Sequence, residues 1–287
     1  MTMAMYRRRA LEEPPSRLAI WSRRIAVFAL AVVLLAIIIA RADLLETEPV
    51  LVTFASALLL AALAILVAFA SFVTLWINGG PGFGQAVLAL FISVALLAYP
   101  GYLGYKAYTL PPLKDVTTDP IDPPRFEVVA RLRPANTSVY PGLATAEMQK
   151  EAWPDIEPLQ VSVPPKAAFD GAMSVIAKRK WRVVDARPPQ GNREGHIEAI
   201  ARTPIMGFRD DIVVRVRATR EGAQVDLRSA SRYGYTDFGT NAERVLALLD
   251  DIDDASTVEK ERPERLPRPA KPAAVPAKTA QSARKNN

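Results

Sequence analysis

The chain has 287 residues, a formal net charge of +6 and no cysteine. The absence of thiols excludes disulfides, thiolate catalysis and Cys-ligated zinc or iron–sulfur centres, and a single histidine, His196, excludes a His-rich metal site. The stretch from Val258 to Asn287 holds eight Lys or Arg against three Glu and so supplies +5 of the net charge, which means the basic balance does not point to a nucleic-acid surface.

Residues 1–24 form a short basic segment. Ile25 to Ala40 then carries no charge. With Leu18 to Trp21 upstream, and with Arg23 and Arg24 able to snorkel, this run is long enough for the ~30 Å hydrocarbon core of a bilayer. Val50 to Ile77 is a second uncharged run, and Ala86 to Leu103 a third, interrupted late by Pro100 and Gly101. Residues 25–108 are therefore expected to hold three transmembrane helices. A cleaved signal peptide fits the first run poorly, because a long segment precedes it and a second span follows at once.

The flanks set an expected direction. Arg7, Arg8, Arg9, Arg17, Arg23 and Arg24 precede the first span, whereas the loop after it has Arg41 against Asp43, Glu46 and Glu48. Positive charge stays inside, so the N-terminus is expected in the cytoplasm and everything after Tyr108 on the far side. Trp21 and Trp76 suit one interface, and Tyr102, Tyr105 and Tyr108 the other. The loop Gly79 to Gly84 lacks the Lys-Ser/Thr end of a phosphate loop and reads as a turn between helices.

Residues 109–125 are Pro-rich and read as an extended linker. A soluble domain is expected over 126–255. Ala144 to Trp153 reads as a short helix and Ile156 to Val161 as a strand. Pro164 to Arg179 is a helix with Phe169, Ala172, Met173 and Ile176 on one stripe, closed by Lys178, Arg179 and Lys180. Four strands follow, at Trp181 to Ala186, Gly195 to Thr203, Asp211 to Ala218 and Ala223 to Ala230. Ile197, Ala199 and Ala201 share a face with Ile212, Val214, Val216, Val225 and Leu227. His196, Glu198, Arg202, Arg215, Arg217, Asp226 and Arg228 stand opposite, which predicts an antiparallel sheet with one wet face.

A last helix is expected from Asn241 to Ile252, with Thr240 and Glu243 as a capping box. Asp250, Asp251, Asp253 and Asp254 then fall at its unfavourable end. The fold class is a three-helix transmembrane region plus a two-layer α+β sandwich, an antiparallel sheet with helices on one face. Residues 256–287 read as a disordered basic Pro/Ala/Lys tail.

Asp210 and Asp211 suggest a carboxylate pair, yet neighbours on a strand point to opposite faces, so only one reaches a given site. The bland reading is a turn from Gly207 to Asp211 with Asx-type hydrogen bonds and arginines paired across strands. Ser229 and Ser231 have one imidazole in the chain to serve them and no nucleophile elbow. Arginine on the same face argues against a hard-cation site built from Glu198, Asp210, Asp211, Asp226 or Asp237. The sharper option is an anion or ligand site formed by Arg202, Arg209, Asp211, Arg228, Ser229, Ser231 and Arg232 near the strand ends.

The stretches Thr203 to Val216 (TPIMGFRDDIVVRV) and Val225 to Val245 (VDLRSASRYGYTDFGTNAERV) resemble the bacterial domain-of-unknown-function family fourteen-ninety-nine. Thr118 to Phe126 and Trp153 to Leu159 are similar to it as well, so the resemblance spans Thr118 to Ile252. Met206 stands where the family pattern implies a bulkier side chain. The resemblance implies a membrane-associated envelope protein and supplies no catalytic residues.

The expected whole is a multi-pass protein of the bacterial inner membrane with a periplasmic, non-catalytic binding or envelope-maintenance domain. No cofactor and no metal are expected. Expected partners are the lipid bilayer together with an anionic lipid, peptidoglycan or an envelope protein. The alternative is a periplasmic hydrolase or transferase using Asp211, Glu198 or Ser229.

Overall fold

A computed structural model of the protein describes residues 14–133 and 137–261. The N-terminal arginines at 7–9 and the basic tail beyond 261 lie outside the described residues. Three helices come first, α1 (Arg17–Arg41), α2 (Thr47–Asn78) and α3 (Phe83–Thr109). Each is long and apolar enough to cross a membrane. They pack through small side chains, Ala19 and Ala26 meeting Ala64, Ala68, Ala86 and Ala89, which lets the backbones approach closely. Pro100 lies inside α3 without ending it. The tyrosines at 102, 105 and 108 point outward, as do Trp21 and Trp76 at the opposite end of the bundle.

The soluble part follows in the order β1 (Asp115–Thr117), a 3₁₀ turn (Val129–Leu132), α4 (Leu143–Ala152), β2 (Leu159–Val161), α5 (Pro165–Lys178), β3 (Arg182–Arg187), β4 (Gly195–Arg202), β5 (Arg209–Ala218), β6 (Ala223–Ser231) and α6 (Thr240–Glu261). The sheet is antiparallel with strand order β1-β6-β5-β4-β3, and β2 extends the far half of β6. Helices α5 and α6 cover one face, where Ile197, Ile212, Val214, Val225 and Leu227 meet Phe169, Ile176, Val245 and Leu248. This is the two-layer α+β sandwich the alternation predicts.

Three expectations need correcting. The segment set down as linker contains strand β1, which pairs with β6 in the register Asp115↔Ala230 to Thr117↔Arg228. The edge of β1 is closed by Gln149 of α4, whose amide accepts from Thr117 N–H and donates to Thr117 C=O.

The last helix runs to Glu261, so Asp250, Asp251, Asp253 and Asp254 sit mid-helix rather than at its end. Its start is capped by the Asp237 carboxylate, which accepts from the N–H groups of Gly239 at 2.8 Å and Asn241 at 2.9 Å. The expected Thr240–Glu243 box is replaced by this cap, and Glu243 instead meets Lys106 of α3 at 2.6 Å.

The third correction is the largest. The polar face of the sheet is not wet. Residues 118–133 fold back over it. Phe126 and Val129 pack on Ile200, Val213 and Ala230, and every charged group between them is paired. A period of two reports which side chains share a face, and it does not report whether chain from elsewhere covers that face.

Candidate functional site: a cationic cleft beside the apolar helices

The covered face is built from ion pairs. Asp211 is fully buried between two arginines, with Arg133 Nη1 at 2.7 Å and Arg232 Nη2 at 2.7 Å. Arg228 forks onto both oxygens of Asp115 at 2.9 and 2.7 Å and lies between the rings of Phe126 and Tyr140. Burial pushes the Tyr140 phenol up to about 12, and the Asp115 carboxylate pushes the same way. Arg215 pairs with Asp226 across the strands, and it reaches Asp119 and Asp122 in the covering segment. Asp119 ends below its usual range, because the bonds from Asp122 N–H, Arg217 and Arg215 outweigh the upward push of burial.

Glu198 is fully buried as well. Its carboxylate accepts from the backbone N–H groups of Glu127, Val128 and Val129, and His196 Nε2 lies 3.0 Å away. Burial pushes its pKa up, yet the His196 contact and the three N–H groups overcome that and hold it below the ordinary glutamate value.

Asp210 and Asp211 diverge as strand geometry requires. Asp210 turns to the helix-covered face and pairs with Arg244 of α6 at 2.6 Å. Neither aspartate closes the turn before β5. That turn is held by Thr203, whose N–H donates to Phe208 C=O while its hydroxyl accepts from Phe208 N–H, with Gly207 at φ +71°. Ser229 is fully buried on the helix side, donating to Asn241 and accepting from Arg244. Ser231 accepts from Asn241 Nδ2.

The seven residues expected to form one anion site therefore part company. Asp211 and Arg228 belong to the buried network, and Ser229 and Ser231 to the β6–α6 contact. Arg202, Arg209 and Arg232 come together in a cleft of about 460 Å³. Its other walls are Arg179, Lys180, Arg182, Leu132, Trp181 and Ile200. Six cations line this cleft and no carboxylate does. The acids that reach its cations lie outside it. Asp251 pairs with Arg179, Asp211 with Arg232, and Asp43 with both Arg202 and Arg209. Lys180 and Arg182 are exposed and make no ion pair among the described residues.

Chain geometry explains why these residues meet. The cleft sits where β4 and β6 end and β3 and β5 begin. Arg182 pairs with Ile200 and Arg202 with Arg209 in the ladder, so one end of the sheet gathers the cations. Lys180 takes a left-handed conformation, φ +57°, which closes α5 and turns the chain directly into β3. In the sequence Arg179 and Lys180 stand out only as dipole partners for α5, and Arg182 and Arg133 carry no local signal of a site. The run Lys178 to Arg182 is visible as a cluster of positive charge, but the strand pairing that aims it toward Arg202 is not.

Asp43 fixes the location. It follows α1 within two residues, and its carboxylate holds Arg202 at 2.8 Å and also holds Arg209. Burial pushes the Asp43 pKa up, and the hydrogen bonds and charges of Arg209 and Arg202 together outweigh it and hold the carboxyl below its ordinary value. Arg41 donates to the carbonyls of Pro204 at 2.6 Å and Ile205 at 3.3 Å. The mouth of the cleft thus lies level with the end of an apolar helix.

Residues 115–252 match the family model for "Protein of unknown function (DUF1499)". Over these residues the soluble part of the chain is similar to that family. The match begins at β1 and ends within α6, so it takes in the covering segment as well as the sheet. No curated protein and no solved structure matches the chain.

Proposed function

We propose that this chain is a multi-pass protein of the bacterial inner membrane whose soluble domain lies in the periplasm. In this reading the domain binds, without catalysis, a phosphate-bearing group presented at the membrane surface. The observation that carries it is the cleft of six cations, two of them without ion-pair partners among the described residues, level with the end of α1. Cationic side chains near an anionic surface contribute about 1 kcal/mol each. Arginine forks suit phosphate oxygens.

The non-catalytic reading is supported by the fate of the residues suited to chemistry. Asp211, Glu198 and Ser229 are each fully buried and each already bonded within the fold, so none faces a space a substrate enters. The periplasmic placement rests on the arginine-rich N-terminal flank and the acidic first loop.

The test is lipid selectivity of the full-length protein. It is extracted from vesicles of equimolar phosphatidylglycerol and phosphatidylcholine, and the retained lipid is read by native mass spectrometry. Phosphatidylglycerol should be enriched. The double variant Lys180→Gln, Arg182→Gln should weaken that retention by about thirtyfold, two contributions of roughly 1 kcal/mol each. Equal retention of both lipids by the unaltered protein would remove the cleft's proposed role. A periplasm-active reporter fused after Asn287 should be active, and activity of a cytoplasm-active reporter there would overturn the orientation.

A further inference from the structure

A second cavity adjoins the cleft. It holds about 160 Å³ and is walled by Tyr99 and Leu103 of α3, by Ile205, Met206 and Phe208 of the β4–β5 turn, and by Phe238 before α6. Arg209 lines both this pocket and the cationic cleft. One wall is therefore an apolar helix, and the other is made of the two loops that carry the most distinctive motifs of the domain.

The height of the pocket is set by α3. About 20 helical residues fill one hydrocarbon thickness. Counted from Phe83, where α3 begins, that distance ends near Tyr102, within the run of exposed tyrosines from Tyr99 to Tyr108 that suits a bilayer surface. Tyr99 lies one turn inside that boundary and Leu103 lies on it. The medium at the mouth of this pocket is the outer part of the hydrocarbon layer and its carbonyl zone. An apolar cavity of roughly 150 Å³ holds a benzene-sized group. The corresponding guest here is a stretch of about four to six carbons.

We infer that the anion held by the cleft is the headgroup of a bilayer lipid, and that this pocket takes a segment of the same lipid's hydrocarbon chain. The inference rests on the cleft reading above and sharpens it. A free phosphate satisfies the cations but leaves the pocket beside Arg209 without a guest, whereas a lipid at this height supplies both parts at once. Arg209 sits at the junction, where the headgroup ends and the chain begins. Asp43 holds Arg202 and Arg209 from outside the cleft, which fixes where their guanidinium groups stand.

The test uses the full-length protein in phosphatidylcholine vesicles that contain a trace phospholipid with a photoactivatable diazirine in its acyl chain. One probe has a phosphatidylglycerol headgroup and the other a phosphatidylcholine headgroup. Cross-linked residues are mapped by peptide mass spectrometry. Leu59 and Leu66 of α2, which face outward, report ordinary lipid contact.

The anionic probe should label residues 203–208 at least threefold more than the zwitterionic one. Leu103→Trp and Met206→Trp fill the pocket from opposite walls, and each should abolish that labelling while Leu59 and Leu66 stay labelled. Agreement of the two variants guards against a local folding defect in either. Labelling of α2 with none at 203–208, or labelling that survives both tryptophans, overturns the pocket and leaves the cleft standing. Equal labelling by both probes that the tryptophans remove keeps the pocket and overturns headgroup selection.

Discussion

Asp211→Asn is the perturbation that most directly tests whether the polar face is a structural core. The carboxylate is fully buried and stands between Arg133 and Arg232, which approach its oxygens at 2.7 to 3.1 Å. Asparagine keeps the shape, removes the charge and leaves two cations beside each other. Removing one partner of a buried pair costs about 3–5 kcal/mol. The lower end applies here, because Arg133 retains the carbonyls of Ala230, Ser231 and Thr137 as acceptors. For a domain of this size, a loss of about 3 kcal/mol lowers the melting temperature by roughly 10 °C.

The assay is thermal unfolding of the full-length protein in detergent, followed by the fluorescence of Trp153 and Trp181. Asp170→Asn is the control, since that residue makes only an exposed pair with Lys166 and should shift the melt by no more than a degree or two. A change below about 3 °C for Asp211→Asn would refute the claim that the network is a stability element. Full stability with lost ligand binding would instead place Asp211 in a site.

Acid should unfold the domain through its low-lying carboxylates. Glu198 has a folded pKa below its unfolded value, so its contribution is present above the unfolded value of about 4.3 and is lost as pH falls through the folded one. The melting temperature should hold from neutral pH to about pH 5 and fall below it, and Glu198→Gln should lower the plateau and flatten the fall. Gly222→Ala should be among the costliest small changes in the sheet, about 3 kcal/mol by chemical denaturation. Gly222 has φ +148°, and an added Cβ would strike the carbonyl of Val161 in β2. A loss below about 1 kcal/mol would mean that β2 shifts aside.

The sheet was legible because its inner face alternates without interruption, from Ile197 through Leu227, and each of those residues meets α5 or α6. The divergence of Asp210 and Asp211 was legible for the same reason. What covered the opposite face was not. Yet that face carries both signs of charge, with Glu198, Asp211 and Asp226 among Arg215, Arg228 and Arg232, and such a balance is what a face needs if it is to be buried by pairing. The Pro-rich stretch supplied Asp119 and Asp122 as the missing counter-charges for Arg215 and Arg217. Proline in sequence signals a linker there. Its effect in the fold is to hold an extended chain against the sheet without spare N–H donors. Among the site residues, Arg202, Arg209 and Arg232 were legible as donors near strand ends. Lys180 and Arg182 were not, because only the register of β3 on β4 brings them alongside.

The seating of the domain follows from how few residues separate it from the helices. α3 ends at Thr109 and β1 begins at Asp115, with Leu113 buried between them, so the sheet is tied to the bundle by a short anchored stretch. Asp43 with Arg202 and Arg209, Arg41 with two carbonyls, and Lys106 with Glu243 then bridge the same junction. An exposed pair of this kind contributes only about 0.2–1 kcal/mol. Here each forms between parts already held together, and a short tether gives its contacts an effective concentration in the millimolar range. Contacts too weak to dock a free domain are therefore sufficient to orient a tethered one. That orientation sets the cationic end of the sheet, rather than its edges, against the level where α1 and α3 end. A cluster of arginines elsewhere on the domain would be ordinary surface charge. At this height it lies where the proposed lipid headgroup would stand.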